Sequence, residues 1–259
     1  MNAKLDGKVV LVSGGAGGIG SAISKSFSEQ GAKVIVHYHK SEKKAKLLAK
    51  EIGGLAINAD LTDSKQSKEL FSMIIEKEGG LDICIANAGK YPKESQSLWD
   101  IDDKRWNETV STNLSLAFNT SREFLKHVSK TKKGSLVFVG STAGIYGEAG
   151  HSDYSAAKGA ITSGLLKTLK NEAAQIGDGV RINAVAPGWT ATPKKLDEGL
   201  NPNHVDKVVS TMSLKKLATP EDVANSIVIL SSDSLSGHIT GQVIEIAGGM
   251  EGRLITGTK

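Results

Sequence analysis

The chain has 259 residues, 39% of them apolar and 23% charged, with 29 glycines, a composition that fits a globular protein with many tight turns. Its 32 basic and 28 acidic residues leave a net charge of +4, and the lysines are spread rather than massed, so no nucleic-acid footprint is read. No apolar run approaches membrane-spanning length, no apolar leader opens the chain, and a single cysteine, Cys84, excludes an internal disulfide. A cytoplasmic protein is expected.

In chain order, short apolar and β-branched runs predict strands at Lys8–Val12, Lys33–Tyr38, Leu55–Ala59, Asp82–Ala86, Ser135–Gly140, Val180–Val185 and Gln242–Ile246. Several lack period-two alternation, as parallel strands buried on both faces do. Helical patterns fall between them at Ile19–Gln30, Glu42–Ile52, Ser64–Glu78, Asp103–Ser129, Tyr154–Ala174 and Glu221–Ser231. Thr219-Pro220-Glu221 reads as a helix start with proline at the first position. The alternation predicts an α/β fold, a doubly wound parallel sheet of about seven strands with helices on both faces. No repeat or linker divides the chain, so one domain over 1–259 is expected.

Two smaller readings follow. Cys84 sits in Ile83-Cys84-Ile85 and reads as a buried, inert thiol; Lys130-Thr131-Lys132-Lys133 reads as a solvated helix end. The stretch 188–217 breaks the pattern, with Trp189, Pro193, Pro202 and only a short helical candidate at His204–Thr211. A connection that long is usually functional, and its place after the sixth strand puts it at the carboxyl edge of the sheet, where ligands bind in open α/β folds.

Chemistry concentrates in two places. The first strand runs into Ser13-Gly14-Gly15-Ala16-Gly17-Gly18-Ile19-Gly20 and then a helix. Glycines there let the backbone approach a pyrophosphate, and the helix start offers free N–H groups and a positive dipole end. Gly14, Gly18 and Gly20 are spaced G-x-x-x-G-x-G, one residue wider than the common dinucleotide fingerprint. Further on, Tyr154 and Lys158 stand four apart, on one face if the segment is helical, with Ser141 upstream. A phenol has an unperturbed pKa of about 10, and a neighbouring cation favours its ionised form. Read alone, Asn113 is a solvent-facing helical residue, Asp60 a cap for the helix from Ser64, and Ser141 a turn former.

Those motifs, with Asp60-Leu61-Thr62, Asn87-Ala88-Gly89, Asn113, Pro187-Gly188 and Ile239-Thr240-Gly241-Gln242, resemble the short-chain dehydrogenases/reductases nearly end to end. The single-domain members, and among them the 3-oxoacyl-(acyl-carrier-protein) reductases, are the most similar. The resemblance implies a Rossmann-type fold and hydride transfer between a nicotinamide cofactor and a carbonyl or alcohol. It implies Tyr154 as the acid or base, Ser141 as a second donor to the same oxygen, Lys158 as the group that lowers the phenol pKa and holds the ribose, and Asn113 as the holder of a relay water. It assigns cofactor contacts to Gly14, Gly18, Ile19, Gly20, Asp60, Leu61, Asn87, Ala88, Gly89, Pro187, Gly188, Thr190 and Thr192. No metal is expected. A homotetramer, built through the helices at Asp103–Ser129 and Tyr154–Ala174, is implied as well.

The end of the second strand bears on the choice of cofactor. Where NAD-preferring members carry an acid, this chain has Tyr38 followed by His39, Lys40 and Ser41, which suit a 2′-phosphate. NADP(H) is therefore expected, although the family's other basic position is Gly17 here. NAD(H), with an oxidative role on a sugar or polyol, is the alternative, and a non-catalytic nucleotide sensor is a third reading. The chain has Ser13 for the usual threonine, Ala247 before Gly248-Gly249 where relatives often have aspartate, and Asn171 where carrier-protein reductases commonly have arginine. The last weakens the case for an acyl-carrier-protein partner, for which Lys132 and Lys133 offer partial compensation. The substrate pocket is expected to draw on Tyr91–Trp99, Ala143–His151 and Trp189–Thr211, with Tyr146, His151 and Trp189 in its lining.

Overall fold

The computed structural model describes residues 2–197, 199 and 202–250. Strand β1 (Val9–Val12) passes through the glycine turn into α1 (Gly18–Glu29), followed by β2 (Lys33–Tyr38), α2 (Glu42–Glu51), β3 (Leu55–Asn58), α3 (Ser64–Glu78) and β4 (Ile83–Ala86). Next come α4 (Asp103–Val110), a π-helical turn at Ser111–Ser115, α5 (Leu116–Thr131) and β5 (Lys133–Val139). Helices α6 (Ala143–Tyr146) and α7 (Ser152–Gly159), a second π-helical turn at Ala160–Leu165, and α8 (Leu166–Ile176) lead to β6 (Gly179–Pro187). After it stand α9 (Pro193–Asp197), α10 (Pro202–Ser210), α11 (Pro220–Ser231), α12 (Asp233–Ser236) and β7 (Val243–Ile246).

The seven strands form one sheet in the order β3-β2-β1-β4-β5-β6-β7, with each neighbouring pair parallel. The chain winds outward from β1 to β3 and returns beside β1 at β4, so the winding reverses between β1 and β4. That is the crevice where open α/β sheets bind ligands. Successive side chains of a strand face opposite ways, and the core divides accordingly. Leu11, Ile35, Cys84, Leu136, Phe138 and Ile182 pack beneath Leu70, Ile74, Phe124, Val128 and Leu166 of α3, α5 and α8. Val10, Val12, Val34, Val36, Ile85 and Val137 meet Ile23, Phe27, Leu48, Val223 and Ile227 of α1, α2 and α11. Each such large side chain buried fully contributes about 1.5–3 kcal/mol. The Cys84 thiol lies in this core, and burial pushes its pKa up, which suits an inert group.

The predicted strands lie within two residues of the observed ones, and the seven-stranded parallel α/β class stands. The helices differ more: short helices at Ala143–Tyr146, Pro193–Asp197 and Asp233–Ser236 are not among the expected ones, and two long ones are broken. The single helices expected at Asp103–Ser129 and Tyr154–Ala174 are each interrupted by a π-helical turn. At both breaks a side chain bonds the carbonyl four residues back, Asn113 Nδ2 to Thr109 O at 3.0 Å and Thr162 Oγ1 to Lys158 O at 3.1 Å. Such bonds compete with the regular ladder and bend helices. Thr120 makes the same bond within regular α5, so the bond accompanies the π turn without being sufficient for it.

The long stretch 188–217 is largely structured. It carries α9 and α10, and a parallel bridge joins Thr190 to Ala218; residues 198, 200 and 201 of it, like 1 and 251–259 at the chain ends, lie outside the described residues. Among the described residues no helix is long and apolar enough to cross a membrane.

Candidate active site

The glycine turn is held from three sides. Gly14 adopts a left-handed φ of 62°, which favours glycine. Ser13 Oγ donates to Ile85 O at 3.1 Å and accepts from the N–H groups of Asn87 and Ala88, each at 2.9 Å. Asn87 Nδ2 donates to Ser13 O at 2.9 Å and Gly14 O at 3.3 Å. The segment after β4 is thereby stitched to the turn after β1. Gly20 is required for space, because a Cβ there would stand 2.1 Å from Gly14 O. A Cβ on Gly18 would come within 2.7 Å of Thr192, so the loop after β6 lies over the turn.

Helix α1 begins at this turn with Gly17 as N-cap, no side-chain cap and no acid in its first turn. By contrast, α3, α4, α11 and α12 are capped by Asp63, Asp102, Thr219 and Ser232. An uncapped start of a 12-residue helix keeps N–H donors and the positive dipole end for an anion. These residues fit a dinucleotide's pyrophosphate.

At the end of β2, Tyr38 is buried while His39 and Lys40 are exposed. Ser41 is the N-cap of α2, and its side chain makes no capping bond. Asp60 faces this end, with its Oδ2 3.8 Å from His39 Nε2. Its Oδ1 accepts from Thr62 N at 2.9 Å and Thr62 Oγ1 at 2.7 Å. Burial works to raise the Asp60 carboxyl, but those bonds hold it below its ordinary value. The cap of α3 is Asp63, which accepts from Lys65 N and Gln66 N; the capping role read for Asp60 belongs to its neighbour. Leu61 is buried in the core, so only its backbone faces the site. Ile19 packs partly against the core below the turn.

The second cluster forms where β5, α7 and the first π turn meet. Lys158 is 4% exposed, and its Nζ donates to Val139 O at 2.9 Å while standing 5.7 Å from the Tyr154 ring centroid. A Cβ on Gly89 would lie 2.7 Å from Asn113 Oδ1 and 3.4 Å from Lys158 Nζ, so Gly89, Asn113 and Lys158 come together. Asn113 is buried and donates to Lys90 O at 2.9 Å and Thr109 O at 3.0 Å, while its Oδ1 has no partner within the protein. It is therefore not the solvent-facing helical residue that it resembles in isolation. Pro187 and Gly188 close β6, where Gly188 N donates to Ile246 O at 3.0 Å; Thr190 Oγ1 turns back to Gly188 O at 3.1 Å.

The electrostatics correct one expectation. Burial pushes the Tyr154 phenol up to about 12, against a lowering hydrogen bond from Ser141, and Glu148 adds to the rise. Burial also draws the Lys158 ammonium down to about 8. Lys158 Nζ is held at the Val139 carbonyl, 5.7 Å from the ring centroid, and burial outweighs what lowers the phenol.

Arg105 and His37 frame the site without an obvious signal in the sequence, whereas Tyr91 and His151 fall in stretches expected to line the pocket. Arg105 donates to Asp153 at 3.0 Å and to the Glu94 and Gly150 carbonyls, and Asp153 also accepts from Thr109 at 2.9 Å. This ties α4 to the start of the helix that carries Tyr154. Tyr91 stands edge-on to Tyr154 with centroids 5.0 Å apart, stacks on His151 at 4.6 Å, and donates to Glu148 at 2.6 Å. His37 ties the turn to the second strand.

Comparison with known proteins agrees with this geometry. A family profile described as enoyl-(acyl carrier protein) reductase matches residues 14–251. The 3-oxoacyl-[acyl-carrier-protein] reductase of Thermotoga maritima is 36% identical over 252 residues, covering 95% of this chain and 99% of the relative. Those of Vibrio harveyi and Escherichia coli are 33% and 30% identical, each covering 95% of this chain and 98% of the relative. The chain belongs to the short-chain dehydrogenase/reductase family, and it is an oxidoreductase that acts on a CH–OH or carbonyl group with a nicotinamide cofactor.

Proposed function

We propose that the protein is an NADP(H)-dependent carbonyl reductase that takes 3-oxoacyl thioesters, with Tyr154 as its general acid. The observation that carries this reading is the corner itself: Lys158 Nζ stands 5.7 Å from the Tyr154 ring, Gly89, Asn113 and Lys158 converge, and Asn113 Oδ1 is buried without a protein partner. A phenol is protonated at neutral pH, the form required to give a proton to a carbonyl oxygen that receives hydride. Ser141 is the second donor to that oxygen and stabilises the charge that develops there. Lys158 uses one of its three donors on Val139 O, which leaves others for the ribose hydroxyls. The bound cofactor supplies the hydride; the chain's residues orient it, exclude water and hold the proton. Asn113 Oδ1, a buried acceptor without a protein partner, is suited to hold the water that reprotonates the phenol.

The cofactor turn is Gly14, Gly18, Ile19 and Gly20, with Asn87, Ala88 and Gly89 beside the adenosine ribose, Asp60 and the Leu61 backbone at the adenine, and Pro187, Gly188, Thr190 and Thr192 toward the nicotinamide. Preference for the 2′-phosphate rests on the absence of a carboxylate from Tyr38 to Ser41 and on the exposed His39 and Lys40. The thioester substrate is argued from the names of the relatives and from the loop at 188–217, which lies over the turn through Thr192. A homotetramer is favoured by the groove of about 370 Å³ that Phe118, Arg122, Leu125, Leu165 and Leu169 line between α5 and the second π turn and α8. Phe118 remains 46% exposed there.

Tyr154→Phe tests the mechanism: turnover of a 3-oxoacyl thioester is expected to fall about 10²- to 10⁴-fold with NADPH affinity retained. Reduction at the wild-type rate by that variant would reject the assignment of the acid. Comparing kcat/KM for NADPH and NADH tests the cofactor, and a preference for NADH rejects that part. Light scattering that finds a monomer rejects the tetramer.

A further inference from the structure

We propose that His37 is the positioning residue of the cofactor turn: its neutral imidazole holds the Gly14 amide, and through it the start of α1, in the conformation that receives the pyrophosphate. The inference rests on the reading of that turn as the cofactor site. His37 lies on β2, 2% exposed, in a run of otherwise apolar strand residues. Gly14 N donates to its Nδ1 at 3.1 Å, and its Nε2 stands 3.0 Å from Ala59 O. The partners fix the tautomer. A backbone N–H only donates, so Nδ1 must accept; a carbonyl only accepts, so Nε2 must carry the hydrogen. The His37 backbone adds a second tie, its carbonyl accepting from Gly15 N at 2.9 Å. One residue thus spans from the first glycine of the turn to the end of the β3 region.

A proton on Nδ1 would set N–H against N–H and break the tie to Gly14. Burial disfavours that proton and draws the imidazole down to about 4, helped by His39 and opposed by the bond to Ala59 and by Asp60. His39 on the same strand end and Asp60 after β3 are the titratable groups that bear on it. The turn after β1 contributes none, and the first turn of α1 has no acid. At neutral pH the imidazole is therefore uncharged and the turn is held in its receptive conformation by a group that acid releases.

The test is NADP⁺ binding and steady-state kinetics on wild type, His37→Asn and His37→Phe, with circular dichroism to confirm folding. Asparagine sets an oxygen acceptor where Nδ1 stands and does not titrate; phenylalanine fills the space and accepts nothing. At pH 7, His37→Phe should raise the Kd for NADP⁺ and the KM for NADPH about tenfold, with kcat within about twofold, because the buried Gly14 N–H loses its acceptor. His37→Asn should bind within about threefold of wild type. Lowering the pH from about 7 to about 3.5, below the imidazole's value of about 4 and with folding checked by circular dichroism at each pH, should weaken wild-type binding about fourfold more than binding by His37→Asn, the titration of the nucleotide being common to both. If His37→Phe does not fold, the wild-type to His37→Asn ratio across pH decides alone. A constant ratio, or wild-type affinity in folded His37→Phe, overturns the role of His37 while leaving the cofactor site intact. A wild type that binds neither NADP⁺ nor NAD⁺ at pH 7 overturns both.

Discussion

The two halves of the site are built on opposite terms. Around the glycine turn the buried polar side chains are partnered within the protein: Ser13 Oγ makes three bonds, Asn87 Nδ2 two, and both nitrogens of His37 are used. Around Tyr154 partnered groups, Lys158 and Asp153 among them, stand beside atoms that have no partner. Among the described residues, the buried side-chain atoms without a protein partner are Asn113 Oδ1, Ser135 Oγ, His151 Nε2, Ser152 Oγ, Ser155 Oγ and Ser231 Oγ. Two of the six lie at the catalytic corner, Asn113 beside Lys158 and His151 stacked on Tyr91. A buried polar group left unpaired costs about 1–3 kcal/mol, so that corner is held at a cost by the rest of the fold. The turn is finished by folding, and the corner is finished by what binds there. Substitutions should therefore separate stability from turnover in the corner, and those that disrupt the packing or hydrogen bonds of the turn should move stability and cofactor affinity together.

The largest effect should come from Lys158→Met. Kinetic assay should find kcat/KM down about a thousandfold, while urea denaturation at pH 7 finds no loss of stability. The sign follows from the drop to about 8 that burial imposes on the ammonium. The unfolded lysine holds its proton to about pH 10.4, so the folded protein carries a penalty that is complete below about pH 8 and fades as pH rises from about 8 to about 10.4. Removing the charge relieves about 2 kcal/mol of it, after allowance for the lost bond to Val139 O. A variant that unfolds earlier than wild type would break the contrast. In the wild type, turnover should also decline as pH rises through about 8 and the ammonium is lost.

Arg105→Leu probes the frame beneath the corner. Asp153 is fully buried, and bonds from Arg105, Thr109 and the Tyr154 N–H hold its carboxyl below its ordinary range against a burial that would raise it. Truncating the arginine leaves a buried carboxylate short of its cation, which costs about 3 kcal/mol. Thermal unfolding measures it, and the loss should grow as pH rises above the Asp153 pKa, where the orphaned charge is present. Gly20→Ala probes the turn. Its Cβ would stand 2.1 Å from Gly14 O, and such overpacking costs about 1–3 kcal/mol. Stability and NADP⁺ affinity should fall together; an unfolding midpoint unchanged beside a lost affinity would show the turn to be less rigid than its hydrogen bonds imply.

What could be read from sequence follows the physics of each feature. Strands were legible because buried β-branched runs such as Lys33–Tyr38 have few other uses, and the glycine turn because only such residues fit its positive φ and its close approach at Gly20. The π turns were not, since Asn113 and Thr162 sit in unbroken helical periodicity and act through bonds to carbonyls four residues back. Spacing placed Tyr154 and Lys158 on one face but carried no information on where the ammonium points, which is at the Val139 carbonyl. His37 is the hardest case. Within an apolar run it reads as strand filler, and its role comes from Gly14 and Ala59, 23 and 22 residues away.

The smallest predicted effect tests the turn most directly. Helix α1 has Gly17 at its N-cap in an extended conformation, φ −74° and ψ 176°, that any residue adopts. An aspartate at a cap accepts from the N–H groups of the first turn, as Asp63 does at the start of α3, and its charge is favourable at the positive end of the dipole. Gly17→Asp should therefore stabilise the free protein, by about 0.5 kcal/mol once the tight 3.2 Å approach of its Cβ to Gly14 O is relaxed. The same carboxylate occupies the donors that a pyrophosphate needs and repels its charge, so NADP⁺ affinity should fall about tenfold or more. Thermal unfolding with and without NADP⁺ reads both at once: the variant melts slightly higher alone and gains less from the nucleotide. An equal gain in both proteins would mean that the phosphates do not lie at this helix start, and the partnered half of the site would then have to be assigned to something other than the cofactor.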